Sequence, residues 1–122
     1  MKAKYSIEEW GEAHPRWNEF VACLDRVAPE QAPFVFEAYY RAYQSYLFVA
    51  LQANEVVGFI RFAVQPIGPE AKCPALYLNG VQLTEAKIHA FAVREDARGQ
   101  GIGTELQRQT IRRARSTTTI RM

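Results

Sequence analysis

The stretch that decides the fold is residues 91–104, which read Phe91-Ala-Val-Arg-Glu-Asp-Ala-Arg-Gly-Gln-Gly-Ile-Gly-Thr104. It runs from a strand pattern through a glycine-rich turn into a helix pattern. Glycines at positions 99, 101 and 103 remove the side chains that would block a ligand, so successive backbone amides can converge on it. The unpaired amides and the positive dipole end of the following helix favour an anion at the same place. This layout predicts a phosphate-binding turn.

The spacing of the glycines excludes two common phosphate loops. A Walker loop ends in Gly-Lys followed by Ser or Thr, and this turn has no such ending. The dinucleotide fingerprint G-x-G-x-x-G would need its third glycine at position 104 or 106, where the chain has other residues. The pattern that remains is Arg98-x-x-Gly101-x-Gly103, placed after a hydrophobic strand that ends at Val93.

That pattern resembles the acyl-CoA signature R/Q-x-x-G-x-G/A of the GNAT superfamily of N-acetyltransferases. It stands here as Arg98-Gly-Gln-Gly-Ile-Gly103, and the resemblance covers residues 46–122, most strongly residues 85–114. It implies a single GNAT-like acyl-CoA-binding domain over residues 1–122. The implied fold class is α+β, with helices flanking a mixed, mainly antiparallel sheet that lacks the family's last elements.

The resemblance implies acetyl-CoA as the cosubstrate. Backbone amides of the turn would hold the pyrophosphate, and the main chain at the end of the preceding strand would pair with the pantetheine arm. The implied cosubstrate-binding residues are Phe91, Ala92, Val93, Arg98, Gly99, Gln100, Gly101, Ile102, Gly103 and Thr104. No metal is expected, because the two cysteines and two histidines show no ligand spacing.

The implied reaction is direct attack by an amine on the thioester in a ternary complex, with a backbone amide near Val93 stabilising the oxyanion. Period-two alternation predicts four side chains on one face of the preceding strand: Glu85, Lys87, His89 and Phe91. By resemblance this face lines the cleft. His89 is the candidate general base because imidazole titrates near neutral pH, and Glu85 is the alternative.

The N-terminal region predicts two helical segments. Ser6 and Glu9 have the spacing of a capping box, so a helix is expected from Ile7, and residues 1–6 are too short for much of a strand. Pro15 interrupts this helix and is well placed to begin a second one. Apolar residues recur there at helical spacing: Trp10, Trp17, Phe20, Val21 and Leu24.

An aromatic third helix is predicted over residues 34–43. By resemblance, the region before residue 46 corresponds to the family's variable acceptor-binding part. Tyr39, Tyr40 and Tyr43 are therefore candidates for lining the acceptor pocket, with core packing as the alternative.

The remainder predicts strands, turns and one long helix. The expected elements are a hairpin of residues 46–53 and 56–65, a tight turn at Asn79-Gly80, a strand over 85–93, a helix over Thr104–Arg115 and a strand over 117–122.

Composition supports a globular, cytoplasmic protein. Hydrophobic residues make up 48% and charged residues 23% of 122 residues, which excludes disorder for most of the length, and no apolar run is long enough to span a membrane. The basic excess lies between Arg94 and Arg121. Arg108, Arg112, Arg113 and Arg115 could form a nucleic-acid face, but they lack interleaved aromatic residues.

The sequence thus predicts an N-acetyltransferase whose partners are acyl-CoA and a small-molecule or peptide amine, without a membrane or nucleic acid. The alternative is a CoA-binding module without turnover. It arises because the family's final helix and hairpin, and the tyrosine that commonly protonates the leaving thiolate, have no counterpart before residue 122.

A homodimer is predicted from the same departure. Strand-like residues 117–122 would present an unpaired edge, which invites pairing with another chain. A second copy would recover part of the apolar burial, worth about 25 cal/mol per Å². Light scattering should show a dimer with these strands at or near its interface. A monomer with a sharp unfolding transition and full transferase activity would contradict the prediction.

Overall fold

The computed structural model describes residues 4–36, 44–66, 74 and 77–117. The larger sheet in this part of the chain is antiparallel, with strand order β1-β2-β3-β6. The strands are β1 (Tyr5–Glu9), β2 (Gln44–Gln52), β3 (Glu55–Pro66), β4 (Tyr77–Leu78), β5 (Val81–Gln82) and β6 (Thr84–Val93). The α-helices are α1 (Trp17–Val27), α2 (Ala32–Phe36) and α3 (Ile102–Thr117), and short 3-10 turns cover Pro29–Gln31 and Glu95–Ala97.

The N-terminal segment is a strand, so the helix predicted from Ile7 is wrong. β1 pairs with β2 from Tyr5 opposite Gln52 to Glu9 opposite Phe48. Tyr5 and Ile7 alternate onto one face and pack against the core there. Pairing with β2 and burial of this face outweigh a local capping box, whose effect is only about 1 kcal/mol. Residues 1–6 were expected to be too short for an opening strand. β1 is such a strand, because it extends past these residues to Glu9.

Helix α1 confirms the second predicted helical segment. Phe20 and Leu24 are fully buried on its inner side, and the Phe20 ring meets the Phe59 ring of β3 edge-on at 5.3 Å between centroids. Trp17 and Val21 pack at the margin of the same cluster. Edge-to-face aromatic contacts of this kind add to the stabilisation from apolar burial. The apolar stripe therefore fixes α1 on one face of the sheet.

The predicted hairpin and the predicted tight turn are both confirmed, with the hairpin turn one residue earlier than expected. Ala53 and Asn54, between β2 and β3, have φ of 52° and 64°, and Asn79 and Gly80, between β4 and β5, have φ of 52° and 79°. Two consecutive left-handed residues form the turn that matches the twist of the flanking strands. Asn and Gly accept this conformation at low cost.

Two buried clusters form, one on each face of the sheet. The first joins α1 to residues such as Val49, Phe59 and Ala90. The second joins α3 to residues such as Ile60 and Phe62. The fold is therefore α+β, with α3 on one side of the mainly antiparallel sheet and α1 on the other, as predicted.

Three predicted elements differ in extent or lie partly outside the described residues. Helix α2 covers Ala32–Phe36, and Tyr39, Tyr40 and Tyr43 fall outside the described residues. Helix α3 begins at Ile102 and includes Thr117, where a strand was expected, and residues 118–122 are outside the described part. Neither this helix nor α1 is long and apolar enough to cross a membrane.

Replacing Phe20 with alanine should destabilise the protein by about 3–5 kcal/mol, because it removes a fully buried ring from the α1–sheet interface. Phe34→Ala is the matched control, since this ring is 48% exposed, and should cost about 1 kcal/mol or less. Urea unfolding followed by circular dichroism measures both changes. Equal losses in the two variants would contradict this account of the core.

Candidate functional site

A cleft of about 480 Å³ lies between the end of β6 and the start of α3. It opens where the open edge of β6, the glycine turn and the first turn of α3 meet. Its lining residues are Phe91, Ala92, Val93, Ala97, Arg98, Gly99, Gly101, Ile102, Gly103 and Thr104. The structure thus brings together all the predicted cosubstrate-binding residues except Gln100.

The glycines of the turn have two different structural roles. Gly99 and Gly101 adopt φ of 82° and 85°, in the left-handed region that L side chains rarely occupy. A Cβ at Gly103 would instead lie 3.3 Å from Cζ of Phe91, a tight contact between helix and strand. Positive φ shapes the turn, and the missing side chain at 103 lets α3 approach β6.

The amino-terminal end of α3 points its amides toward the cleft region. The first backbone bond of the helix runs from Glu105 N–H to Gly101 O at 2.9 Å. The amides of Ile102, Gly103 and Thr104 precede this bond and therefore have no intrahelical acceptor. Ile102 is buried and anchors this first turn. Three donors and the positive end of the helix dipole meet beside the glycine turn, which suits an anion.

The acidic residue in this first turn is held by its own helix. Gln109 donates to Glu105 Oε2 at 2.9 Å, and Arg108 donates to Oε1 at 2.7 Å. The hydrogen bond from Gln109, followed by that from Arg108, lowers the pKa of Glu105. The carboxylate is thus paired along the helix, which reduces its repulsion of an anion at the helix start.

Gln100 supports the turn and does not line the cleft. Its Oε1 accepts a hydrogen bond from Gln52 Nε2 at 2.7 Å, and its Nε2 donates to Ala97 O at 3.3 Å. The side chain therefore ties the turn to the end of β2. Ala97, which lines the cleft and is buried, was not predicted, because an alanine carries no chemical signal in the sequence.

Two side chains engage the backbone of β6 on the edge that faces away from β3. Phe91 N–H donates to Gln31 Oε1 at 2.8 Å, and Gln31 Nε2 donates to Phe91 O at 3.3 Å. Arg98 Nε donates to Val93 O at 3.0 Å. Sequence reasoning missed Gln31, which lies 60 positions before Phe91. No local pattern in the sequence links the two.

A β-bulge changes the position of the candidate catalytic residues. Between Arg61 and Phe62 the partner in β6 steps from Ala90 to Ile88, so His89 is an extra residue on this strand. Directly opposed residues of paired strands share a face of the sheet. Phe91 opposes Ile60, which belongs to the cluster under α3. Glu85 opposes Gln65, which lies five positions from Ile60 and therefore on the other face. The prediction that Glu85 and Phe91 share one face is therefore wrong, because period-two alternation does not survive a bulge.

Neither candidate base lines the cleft. His89 is half-buried, two positions from Phe91. Glu85 is exposed, accepts a bond from Gln65 Nε2 at 3.4 Å, and lies roughly 20 Å along the strand from Phe91, at about 3.3 Å per residue. His89 is therefore the nearer of the two. Among the described residues no group of His, Cys, Asp and Glu could hold a metal ion.

The arginines of α3 are partly engaged within the chain. Arg113 stacks on the Tyr46 ring at 4.7 Å and pairs with Glu9 at 3.4 Å. Arg108 pairs with Glu105 at 2.7 Å. These contacts tie two of the four basic side chains to neighbouring residues, which does not favour a nucleic-acid face.

A smaller cavity of about 190 Å³ lies on the other side of the sheet, against α1. Cys23, Arg26, Glu55 and Arg94 are among its lining residues. Arg94 pairs with Asp96 at 2.5 Å and lies 3.8 Å from Glu55. Burial raises the pKa of the Cys23 thiol, so this group is poorly suited to act as a nucleophile.

Comparison with solved structures shows the same fold in several acetyltransferases. The GNAT-family N-acetyltransferase YhbS from Escherichia coli, solved with CoA, has a TM-score of 0.66 and 18% identity over 95% of this chain and 59% of that one. Ribosomal-protein-alanine N-acetyltransferase from Brucella melitensis biovar Abortus 2308 has a TM-score of 0.61 and 18% identity, covering 93% of this chain and 73% of that one.

A third similar structure is a glucosamine N-acetyltransferase region of a fungal multi-domain β-N-acetylglucosaminidase. Its TM-score is 0.63 at 13% identity, and the match covers 97% of this chain and only 13% of that protein. No curated protein sequence matches the chain significantly. The model of the acetyltransferase (GNAT) family matches residues 9–122, nearly the whole chain, and the chain therefore belongs to this family.

Proposed function

We propose that the protein is an N-acetyltransferase that transfers the acetyl group of acetyl-CoA to a primary amine. Family membership supports acyl transfer as the class of chemistry. The observation that carries the proposal is the cleft in which the amides of the α3 start and the open edge of β6 converge. A pyrophosphate and an amide-containing arm joined to it need these two features side by side.

The pyrophosphate would bind at the glycine turn and the amides of Ile102, Gly103 and Thr104. Each charge–dipole contact at a helix start contributes about 0.3–1 kcal/mol. Arg98 is exposed at the mouth of the cleft and adds a positive charge. The site therefore recognises phosphate chiefly through backbone groups, whose geometry is fixed by the left-handed glycines.

The pantetheine arm would continue along the edge of β6, past Val93 and Phe91. A backbone amide near Val93 would stabilise the oxyanion that forms when the amine nitrogen attacks the thioester carbonyl carbon. As the carbon–sulfur bond breaks, the thiolate of CoA takes up a proton and the new amide nitrogen loses one. No acyl-enzyme is formed in this sequence of steps.

His89 is the residue we propose as general base, with Glu85 as the alternative. His89 is the extra residue of the bulge and lies two positions before Phe91 on β6. Bulges commonly re-aim a side chain beside an active site. An imidazole there can accept the proton from an ammonium near neutral pH. Glu85 would need the acceptor to reach much farther along the strand.

The acceptor would be a primary amine on a small molecule or a peptide. The similar structures include a glucosamine N-acetyltransferase region and a ribosomal-protein-alanine N-acetyltransferase. A panel of amino sugars, amino acids and peptide N-termini, with release of free CoA thiol as the readout and mass spectrometry of products, tests the proposal. Binding of acetyl-CoA without thiol release across the panel would favour the CoA-binding module instead.

Replacing Gly101 with valine should weaken CoA binding. A β-branched residue at φ of 85° is strained by about 1–3 kcal/mol, and its side chain would obstruct the amides of the turn. We expect calorimetric titration to show CoA affinity reduced by more than about tenfold, the equivalent of about 1.4 kcal/mol.

Gly80→Val is the matched control for this variant. Gly80 has a similar φ of 79°, and a Cβ at this position would meet nothing within 4 Å, but the residue lies in the β4–β5 turn and not in the cleft. The variant should bear comparable backbone strain and keep its CoA affinity. Unchanged affinity in Gly101→Val, or equal losses in both variants, would remove the assignment of the turn.

Dephospho-CoA should bind nearly as well as CoA. The two differ only in the ribose 3′-phosphate, and the proposed contacts are made by backbone groups to the pyrophosphate and the arm. Exposed arginines contribute little because water and salt screen them. Competition titration of the two ligands at physiological salt checks this. A loss of affinity of about a hundredfold, worth about 2.7 kcal/mol, would show that arginines dominate recognition.

A further inference from the structure

On the open edge of β6 that lines the cleft, side chains of the same chain occupy the backbone groups of two residues. Phe91 and Val93 both line the cleft, and both have backbone groups bonded to side chains from outside the sheet. Gln31 meets Phe91 with both ends of its carboxamide, as donor and as acceptor. A neighbouring strand would make the same two-point contact with the N–H and the C=O of one of its residues.

The position of Phe91 in the sheet directs both of its backbone polar groups toward this contact. Phe91 opposes Ile60 of β3, and both of its backbone polar groups are directed to Gln31, on the side away from β3. Arg94 N–H, by contrast, donates to Val57 O of β3 at 2.7 Å. Residues of an antiparallel strand alternate in this way between inward and outward bonding. Phe91 therefore directs its backbone hydrogen bonds away from β3, along the edge where β6 pairs with no strand in the described part of the chain.

A ligand carbonyl and Gln31 cannot both accept the hydrogen bond from Phe91 N–H. The single amide hydrogen of Phe91 already lies on Gln31 Oε1 at 2.8 Å, so an incoming carbonyl must replace this oxygen. At this donor the exchange is even, since one amide carbonyl oxygen replaces another. The half-buried Gln31 sits in the 3-10 turn Pro29–Gln31 between α1 and α2, so its release would act on the helices of the opposite face.

We propose that Gln31 is a displaceable plug: its carboxamide occupies the β6 edge in the free protein, and the amide of the pantetheine arm must expel it to bind. This rests on the proposed function, since it takes acyl-CoA as the ligand of the cleft. Gln31 is thus a positioning residue that sets the affinity for the arm and transmits occupancy of the cleft to the α1–α2 turn.

The test compares two ligands that differ only in the arm, ADP and dephospho-CoA, on the wild-type chain and on Gln31→Met. Methionine keeps the length of the side chain and removes both hydrogen bonds. We expect ADP affinity to stay unchanged and dephospho-CoA affinity to rise by about tenfold, since the ligand no longer competes for two bonds. Glu30→Ala, an exposed neighbour in the same turn, is the control and should leave the ratio of the two affinities unchanged.

A measurement on the wild-type chain complements the variant in case Gln31→Met folds poorly. In the nuclear magnetic resonance spectrum, dephospho-CoA should shift the side-chain amide signals of Gln31, and ADP should not. An unchanged or lower affinity ratio in a folded Gln31→Met, or unshifted Gln31 signals with dephospho-CoA bound, would overturn the plug. Failure of both ligands to bind the wild-type chain would instead overturn the proposed function, and the plug with it.

Discussion

The constraint on which the rest of the structure depends is the close packing of β6 against both of its neighbours. A Cβ at Gly58 of β3 would lie 3.1 Å from Ala92 O, and one at Gly103 of α3 would lie 3.3 Å from the Phe91 ring. An added methyl group at either position would require its neighbour to move, because both contacts would be tighter than ordinary packing. Glycine on each side therefore lets the strand and the helix start meet, and the cleft forms at that junction.

In the described part of the chain, β6 pairs with β3 along one edge and with no strand along its other edge. Its inner side bonds to β3 over its whole length. On its outer side Gln31 and Arg98 satisfy Phe91 and Val93, so backbone groups near the cleft are not left without partners. Under the proposed function, an arm bound at this edge would exchange hydrogen bonds, and its net gain in affinity would be small. Most of the affinity would then come from the anion at the start of α3.

The two faces of the sheet carry different elements around β6. The cleft lies on the side of α3, where Phe91 and Val93 pack near Ile102. Helix α1 packs on the other face, and the turn that carries Gln31 follows this helix. The bulge at His89 and the Gln31 contact both sit where these regions meet at β6.

The sequence by itself determined the local features of this protein. The glycine turn at 99–103, the β2–β3 hairpin and the Asn79-Gly80 turn each follow from a few adjacent residues, and all were predicted. The helix after the glycine turn was predicted too, although it begins two residues earlier than expected. Tertiary structure alone decided the rest. Tyr5–Glu9 became a strand because β2 offered a partner, which a capping box could not signal. His89 left the alternation because β6 bulges against β3, and Gln31 reached Phe91 across 60 positions. These outcomes depend on contacts between distant segments, and no local pattern encodes such contacts.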